Sequence, residues 1–157
     1  MIESEAELVR RCIVEAGYRL IDTAHMYAIE KTVGNGIAKA IANGAVNRSD
    51  LFVVTKVWPD MLHDVEASLS YSLKLLGLDY VDLTLIHFPI TQVKQGSKYP
   101  ERVPMHKIWA QFEACQKKGM TRHIGVSNFN VQLLLDIFTY AETMPYCNQV
   151  EHHPFYQ

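Results

Sequence analysis

The chain alternates between segments with the apolar spacing of amphipathic helices and short continuous apolar runs typical of buried strands. The helical spacing predicts helices over residues 4–16, 30–43, 62–76, 105–118 and 131–141. The apolar runs predict strands over residues 18–24, 51–56, 80–87, 123–126 and 147–151. A capping-box pattern, Ser4-x-x-Glu7, precedes the first helix, and Gly17 closes it. The sequence therefore predicts five helices that alternate with five strands.

Continuous apolar strands separated by helices require parallel pairing, with helices covering the sheet. The order therefore predicts an α/β fold, either a (β/α) barrel or a doubly wound sheet. A complete eight-stranded barrel needs about 250 residues, whereas the chain has 157. If the fold is a barrel, we expect a single, incomplete domain over residues 1–157. Gly34-Asn35-Gly36 lies inside a predicted helix rather than after a strand, which argues against a dinucleotide-binding glycine loop.

Composition narrows the classes of partner. The net charge is −2, so there is no electrostatic reason to expect nucleic acid or an anionic membrane. No apolar run approaches the roughly 20 residues that span a bilayer, and the first residues lack the pattern of a secretion signal. Three widely spaced cysteines favour neither a disulfide framework nor a zinc site. We expect a cytoplasmic protein without a bound metal.

Candidate chemistry lies where the predicted strands end. Asp22, Lys56 and His87 stand at the carboxyl ends of the first three strands, and Tyr27 follows Asp22 by five positions. Both barrels and doubly wound sheets place their sites at this edge. We therefore expect the four side chains to meet there. The polar segment 90–104 is longer than a usual connection and is a candidate binding loop.

These residue types together favour proton donation to a carbonyl oxygen. Pairing with Asp22 would keep a buried Lys56 charged. A charged Lys56 would stabilise the phenolate of Tyr27, so that the phenol could give a proton near neutral pH. A neutral His87 could hydrogen-bond the same oxygen. Taken singly, each has an ordinary alternative, because Tyr27 could be a packing residue, His87 a hydrogen-bonded core histidine and Asp22 part of a capping turn.

Five motifs, in order from about residue 5 to the end of the chain, resemble those of the aldo-keto reductases. They are Gly17-Tyr18-Arg19-x-Ile21-Asp22-Thr23-Ala24-x-x-Tyr27, Thr55-Lys56-Val57-Trp58, Leu85-Ile86-His87, Gly125-Val126-Ser127-Asn128-Phe129 and Asn148-Gln149-Val150-Glu151-x-His153-Pro154. The resemblance implies a (β/α)8 TIM barrel that binds NADPH in an extended conformation without a Rossmann domain. It also implies hydride transfer from the nicotinamide to the carbonyl carbon of a small aldehyde or ketone.

The resemblance assigns roles to individual residues. Tyr27 would be the proton donor, Lys56 its tuning residue, Asp22 the partner of Lys56, and His87 the group that orients the carbonyl. Together with Asp22, the residues expected to hold the nicotinamide are Ser127, Asn128 and Gln149. The alternative explanation for Ser127 and Asn128 is that they cap a helix. Those expected to wall the substrate pocket are Trp58 and Phe88, and Trp58 could instead be a core residue.

The chain also departs from the family pattern. We expect the first hairpin and strand of the family fold to be missing, and also two further βα units at the end. Most of the residues that bind the cofactor in the family would be missing with them. Ala28-Ile29 replaces a common Gly-Asn before Glu30, and Phe88 replaces a frequent Trp. Two alternatives therefore stay open: an inactive fragment or regulatory binding subunit, and a metal-dependent hydrolase. The candidate ligands for that metal are Asp22, His87, Glu151 and His153. The oligomeric state is left open.

Overall fold

The computed structural model describes residues 4–90 and 103–156. Within these ranges the strands are β1 (Leu20–Asp22), β2 (Phe52–Val57), β3 (Val81–Ile86), β4 (Thr121–Ser127) and β5 (Asn148–Gln149). The helices are α1 (Glu5–Val14), α2 (Glu30–Ala42), α3 (Val65–Leu76), α4 (Met105–Lys117) and α5 (Val131–Phe138). The predicted alternation of five helices and five strands is confirmed for the described part of the chain. None of its helices is long and apolar enough to cross a membrane.

The strands form one parallel sheet in the order β1-β2-β3-β4-β5. Each successive βα unit therefore adds its strand on the same side of the previous one. A doubly wound sheet reverses this order at a switch point, whereas a barrel does not. The sheet is a curled half-barrel, and of the two predicted architectures the incomplete (β/α)8 barrel fits.

The two faces of the sheet bury different side chains, because direction alternates along each strand. The outer face packs against the helices and forms the main core, in which Trp109 and Phe112 of α4 are fully buried. The inner face carries a smaller apolar cluster of Val54, Leu83 and Leu85. The polar residues that end these strands continue the inner face toward its carboxyl edge.

Two glycines in α2 permit close helix packing. A Cβ added at Gly34 would lie 2.2 Å from the carbonyl oxygen of Leu76, at the end of α3. A Cβ added at Gly36 would lie 2.5 Å from the Cβ of Val9 in α1. The Gly34-Asn35-Gly36 sequence is therefore explained by contacts of α2 with both neighbouring helices, as its position inside a helix suggested.

Several element boundaries differ from the predicted ones. The helix predicted from residue 62 begins at Val65, because Pro59–Met61 forms a separate 3₁₀ turn and Asp64 accepts a hydrogen bond from the Ala67 amide at 3.0 Å as the cap. The fourth strand begins two residues earlier than predicted, and the fifth helix ends three residues earlier. The first and last strands are shorter, at three and two residues. Of the candidate loop 90–104, residues 91–102 lie outside the described residues.

Candidate active site

The polar residues at the carboxyl ends of the strands meet at one edge of the half-barrel. Asp22 ends β1, Lys56 is the penultimate residue of β2, and His87 directly follows β3. Ser127 ends β4 and Gln149 ends β5. Parallel pairing in register places these ends side by side. The expected juxtaposition is therefore present in the structure.

Lys56 is at the centre of the cluster, and its side chain is 2% exposed. Its Nζ donates hydrogen bonds to a carboxylate oxygen of Asp22, to the Thr23 carbonyl oxygen at 3.1 Å and to the Tyr27 hydroxyl at 3.2 Å. An ammonium group has three donors, and all three are used here. The buried charge is thus paired and fully hydrogen-bonded, which is the condition under which a protein interior tolerates it.

Tyr27 reaches this ammonium from a short 3₁₀ turn, His25–Tyr27, that follows β1. The turn is closed by Ala28, whose φ of 56° is left-handed. The Tyr27 ring lies 4.9 Å from Lys56 Nζ and meets the His87 ring edge-on, with 5.6 Å between ring centroids. Tyr27 remains 44% exposed, so its phenol is accessible from solvent.

His87 is 7% exposed, and burial lowers its pKa, with a further contribution from the positive charge of Lys56. The carboxylate of Asp22 opposes this shift. The imidazole is therefore neutral at physiological pH. Its Nδ1 has no hydrogen-bond partner among the described residues. A neutral imidazole beside an exposed phenol can donate one hydrogen bond to an oxygen placed between them.

Two aromatic side chains form a wall beside His87. Trp58, just after β2, meets the His87 ring edge-on at 4.8 Å and the Phe88 ring edge-on at 5.7 Å. Phe88 in turn stacks on His87 at 5.4 Å with 18° between the ring planes. The expected substrate-pocket residues are therefore placed next to the imidazole rather than in the main core.

The three residues expected to hold the nicotinamide are connected to the same cluster. Ser127 Oγ donates to the Gln149 carbonyl oxygen at 2.8 Å, and Gln149 Nε2 donates to Asp22 at 2.9 Å. Asn128, with a left-handed φ of 62°, donates from Nδ2 to the His87 carbonyl oxygen at 2.9 Å. Helix capping does not explain Ser127 and Asn128, because the cap of α5 is Asn130.

Two buried residues next to the cluster were not identified as site residues from the sequence. Glu30 is the first residue of α2 and is 1% exposed, and it accepts a hydrogen bond from Thr55, which precedes Lys56. A carboxylate three positions after Tyr27 and a hydroxyl directly before Lys56 were the available signals. A Glu is common at a helix start and a Thr is common in a strand, so neither residue stood out as a site residue.

The described residues do not form the alternative metal site. Within residues 4–90 and 103–156, no three His, Cys, Asp or Glu side chains are grouped so that they could hold a metal ion. Of the candidate ligands, Glu151 and His153 pair with each other at 3.0 Å. Asp22 is instead bonded to Lys56 and Gln149, which leaves the hydrolase hypothesis without its set of ligands.

A cavity of about 570 Å³ lies on the inner face of the half-barrel beneath the polar cluster. Asp22 and Gln149 border it, whereas Tyr27, Lys56 and His87 do not. The other lining residues are mainly apolar side chains of the strands and of the segment before β5: Leu20, Phe52, Val54, Leu83, Tyr146 and Cys147. The chemistry is thus at the edge of the sheet, and the cavity is the interior of the curled sheet.

Comparison with known proteins relates this chain to one protein family. The model of the aldo/keto reductase family matches residues 2–157. The chain is 46% identical over 143 residues to an aldo-keto reductase of Bombyx mori, covering 90% of this chain and 46% of that protein. It is 43% identical over 173 residues to an NAD(P)H-dependent D-xylose reductase of Scheffersomyces stipitis, covering 99% of this chain and 54% of that protein.

Solved structures agree with the sequence comparison. A crystal structure of the Bombyx mori aldo-keto reductase in complex with NADP superposes with a TM-score of 0.87 at 42% identity, covering 96% of this chain and 50% of that one. A second silkworm enzyme, complexed with NADPH, gives a TM-score of 0.86 at 40% identity, covering 94% of this chain and 45% of that one. The chain spans about half the length of the curated relatives it matches.

Proposed function

The chain belongs to the aldo/keto reductase family, and on that premise we propose that the protein reduces aldehydes or ketones to alcohols with NADPH. The observation that carries the proposal is the bonding of Lys56 Nζ to Asp22 and to the Tyr27 hydroxyl, with His87 against the same phenol ring. The relatives named above include a reductase described as NAD(P)H-dependent and a structure with bound NADP.

The donor set at the ends of β4 and β5 fits a nicotinamide carboxamide. Ser127, Asn128 and Gln149 supply one hydroxyl and two amides, which are uncharged groups with both donors and acceptors. Their mutual hydrogen bonds and the bond from Gln149 to Asp22 fix them beside Lys56. We propose that these three residues hold the carboxamide there. When bound, NADPH supplies the hydride that goes to the carbonyl carbon.

The residues of the chain handle the carbonyl oxygen. His87, neutral because its pKa is lowered, donates a hydrogen bond to that oxygen and orients it. Tyr27 gives its hydroxyl proton to the same oxygen, which becomes the hydroxyl oxygen of the alcohol. Lys56 stabilises the phenolate left on Tyr27, and Asp22 balances the charge of Lys56. A general acid in such a position contributes about 10²–10⁴-fold to the rate.

The rings of Trp58 and Phe88 both contact the ring of His87. We propose that they contact the substituents of the carbonyl substrate. Two aromatic faces at this position favour a substrate with an apolar substituent, because apolar area is what they can bury.

A second candidate function is cofactor binding without turnover, as in a reductase-like binding subunit. One observation favours it: the apolar inner face of the sheet is open, with Leu20 59% exposed. An exposed apolar face of this kind can pack against another chain. In that case NADPH would bind while carbonyl compounds would not be reduced.

Titration of the purified chain with NADPH, followed by nicotinamide fluorescence, separates these possibilities. We expect saturable binding that is weakened in Ser127→Ala and unchanged in Ser70→Ala, which alters an exposed serine on α3. Oxidation of the bound NADPH on addition of an aldehyde supports the reductase. Binding without oxidation supports the binding subunit. The absence of NADPH binding contradicts both.

A further inference from the structure

A buried carboxylate lies behind the pair formed by Tyr27 and Lys56. Glu30 begins α2, and Thr55 lies in β2 one residue before Lys56; each is 1% exposed. Thr55 Oγ1 donates a hydrogen bond of 2.7 Å to Glu30 Oε1. Because side chains alternate along a strand, Thr55 points toward the helices while Lys56 points toward the site. The carboxylate thus contacts the strand from the face opposite the ammonium.

The second oxygen of Glu30 faces the turn that carries Tyr27. Glu30 Oε2 has no hydrogen-bond partner in the described part of the chain, and His25 Nδ1 lies 3.7 Å from it. His25 is the first residue of the 3₁₀ turn that ends at Tyr27, and its ring meets Tyr71 of α3 edge-on at 5.4 Å. The two oxygens of one carboxylate therefore face the two segments that supply the phenol and the ammonium.

This placement is not explained by the position of Glu30 at a helix start. The residue before α2, Ile29, makes no side-chain cap, and the Glu30 carboxylate bonds to a strand hydroxyl instead. Burying a carboxylate is unfavourable unless hydrogen bonds compensate. A solvent-exposed Glu would serve the helix dipole without that penalty. The buried arrangement calls for a role beyond the helix.

We propose that Glu30 and Thr55 are positioning residues that set the contact between Tyr27 and Lys56. The turn His25–Tyr27 is three residues long, and a turn of this length has little stability of its own. Tethering its flanking helix residue to β2 fixes the distance of 3.2 Å between Lys56 Nζ and Tyr27 Oη. Neither Glu30 nor Thr55 touches the reacting atoms. This inference rests on the proposed reductase function and deepens it.

The chain offers a matched control for Thr55. Thr84 is its register partner on the neighbouring strand β3 and is 0% exposed. Its Oγ1 has no hydrogen-bond partner among the described residues. Thr55→Val and Thr84→Val therefore make the same chemical change in adjacent buried positions, and one of them removes the bond to Glu30. Thr55→Ser keeps that hydroxyl, and Glu30→Gln keeps an acceptor oxygen, whereas Glu30→Ala keeps neither acceptor.

Two readouts on the purified full chain test the proposal. The first is the ring signal of Tyr27 in a tyrosine-labelled NMR spectrum, assigned with Tyr27→Phe. We expect it to move in Thr55→Val and Glu30→Ala, to stay in Thr84→Val, and to return in Thr55→Ser. The second is aldehyde reduction, for which we expect a fall in kcat with little change in NADPH affinity. A displacement of about 1 Å at a reacting group lowers the rate by up to about 100-fold.

The outcomes separate positioning from general stability. If Thr55→Val and Glu30→Ala lower the melting temperature while the Tyr27 signal and kcat match those of Thr84→Val, the proposal is wrong. If the wild-type chain shows no turnover, the reductase proposal fails and the ring signal alone decides the positioning role. If Glu30→Ala does not fold, the comparison of Thr55→Val, Thr55→Ser and Thr84→Val decides it.

Discussion

Removing Asp22 should destabilise the fold far more than removing Lys56, although the two form one ion pair. In Asp22→Asn the ammonium of Lys56 stays 2% exposed and loses its carboxylate, keeping the Thr23 carbonyl and the Tyr27 hydroxyl. Removing one partner of a buried pair costs about 3–5 kcal/mol. The Asp22 side chain is 30% exposed, so we expect a loss of about 2–3 kcal/mol in unfolding free energy, at or just below the lower end of that range.

Replacing Lys56 instead leaves no buried charge without a partner. In Lys56→Met the Asp22 carboxylate keeps its hydrogen bond from Gln149 at 2.9 Å and its access to solvent. Methionine is similar in length to lysine and is apolar, so we expect the free energy of unfolding to change by no more than about 1 kcal/mol. The double variant Asp22→Asn/Lys56→Met should therefore recover most of the stability that Asp22→Asn loses, because the unpaired ammonium is gone.

Urea unfolding measures these differences. The transition can be followed by tryptophan fluorescence, because Trp109 is fully buried, and by circular dichroism. For a chain of this size, a loss of about 2–3 kcal/mol lowers the melting temperature by about 5–10 °C. An effect of Asp22→Asn below about 1 kcal/mol, or a double variant no more stable than Asp22→Asn, would show that Lys56 is not held as a buried charge.

Three further outcomes are expected. Gly34→Ala should destabilise by about 1–3 kcal/mol, since its Cβ would lie 2.2 Å from the Leu76 carbonyl oxygen, whereas exposed Asn35→Ala should not. The pKa of His87 is lowered in the folded state, so the folded state binds fewer protons than the unfolded chain below about pH 6.5. The free energy of unfolding should therefore decrease as the pH is lowered below about 6.5, and it should decrease less steeply in His87→Gln. Burial raises the pKa of Cys115 to about 11, so alkylation mapped by mass spectrometry should label it after unfolding and not before.

The placement of the site could be predicted because it depends on a simple rule of parallel sheets. Asp22, Lys56 and His87 each end a recognisable apolar strand, and the carboxyl ends of parallel strands share one edge. The choice between a barrel and a doubly wound sheet could not be made from those residues, because both folds use that edge. Strand order decided it, and strand order is a long-range property.

Other features of the site had no local signal. The bond between Thr55 and Glu30 joins residues 25 positions apart, and nothing in either neighbourhood specifies the other. The left-handed φ of Asn128 allows its amide to reach the His87 carbonyl, 41 positions away in the chain. The ends of the short strands also depend on pairing with neighbours, so periodicity overestimated the lengths of β1 and β5.

In the proposed reaction, the hydroxyl of Tyr27 donates the proton to the carbonyl oxygen. The most direct measurement compares NADPH oxidation by an aldehyde in the wild-type chain, in Tyr27→Phe and in Tyr18→Phe, which removes an exposed hydroxyl outside the site. We expect Tyr27→Phe to lose about 10²–10⁴-fold in turnover while still binding NADPH, and Tyr18→Phe to match the wild type. Turnover by Tyr27→Phe at the wild-type rate, or no reduction by the wild-type chain, would contradict the claim.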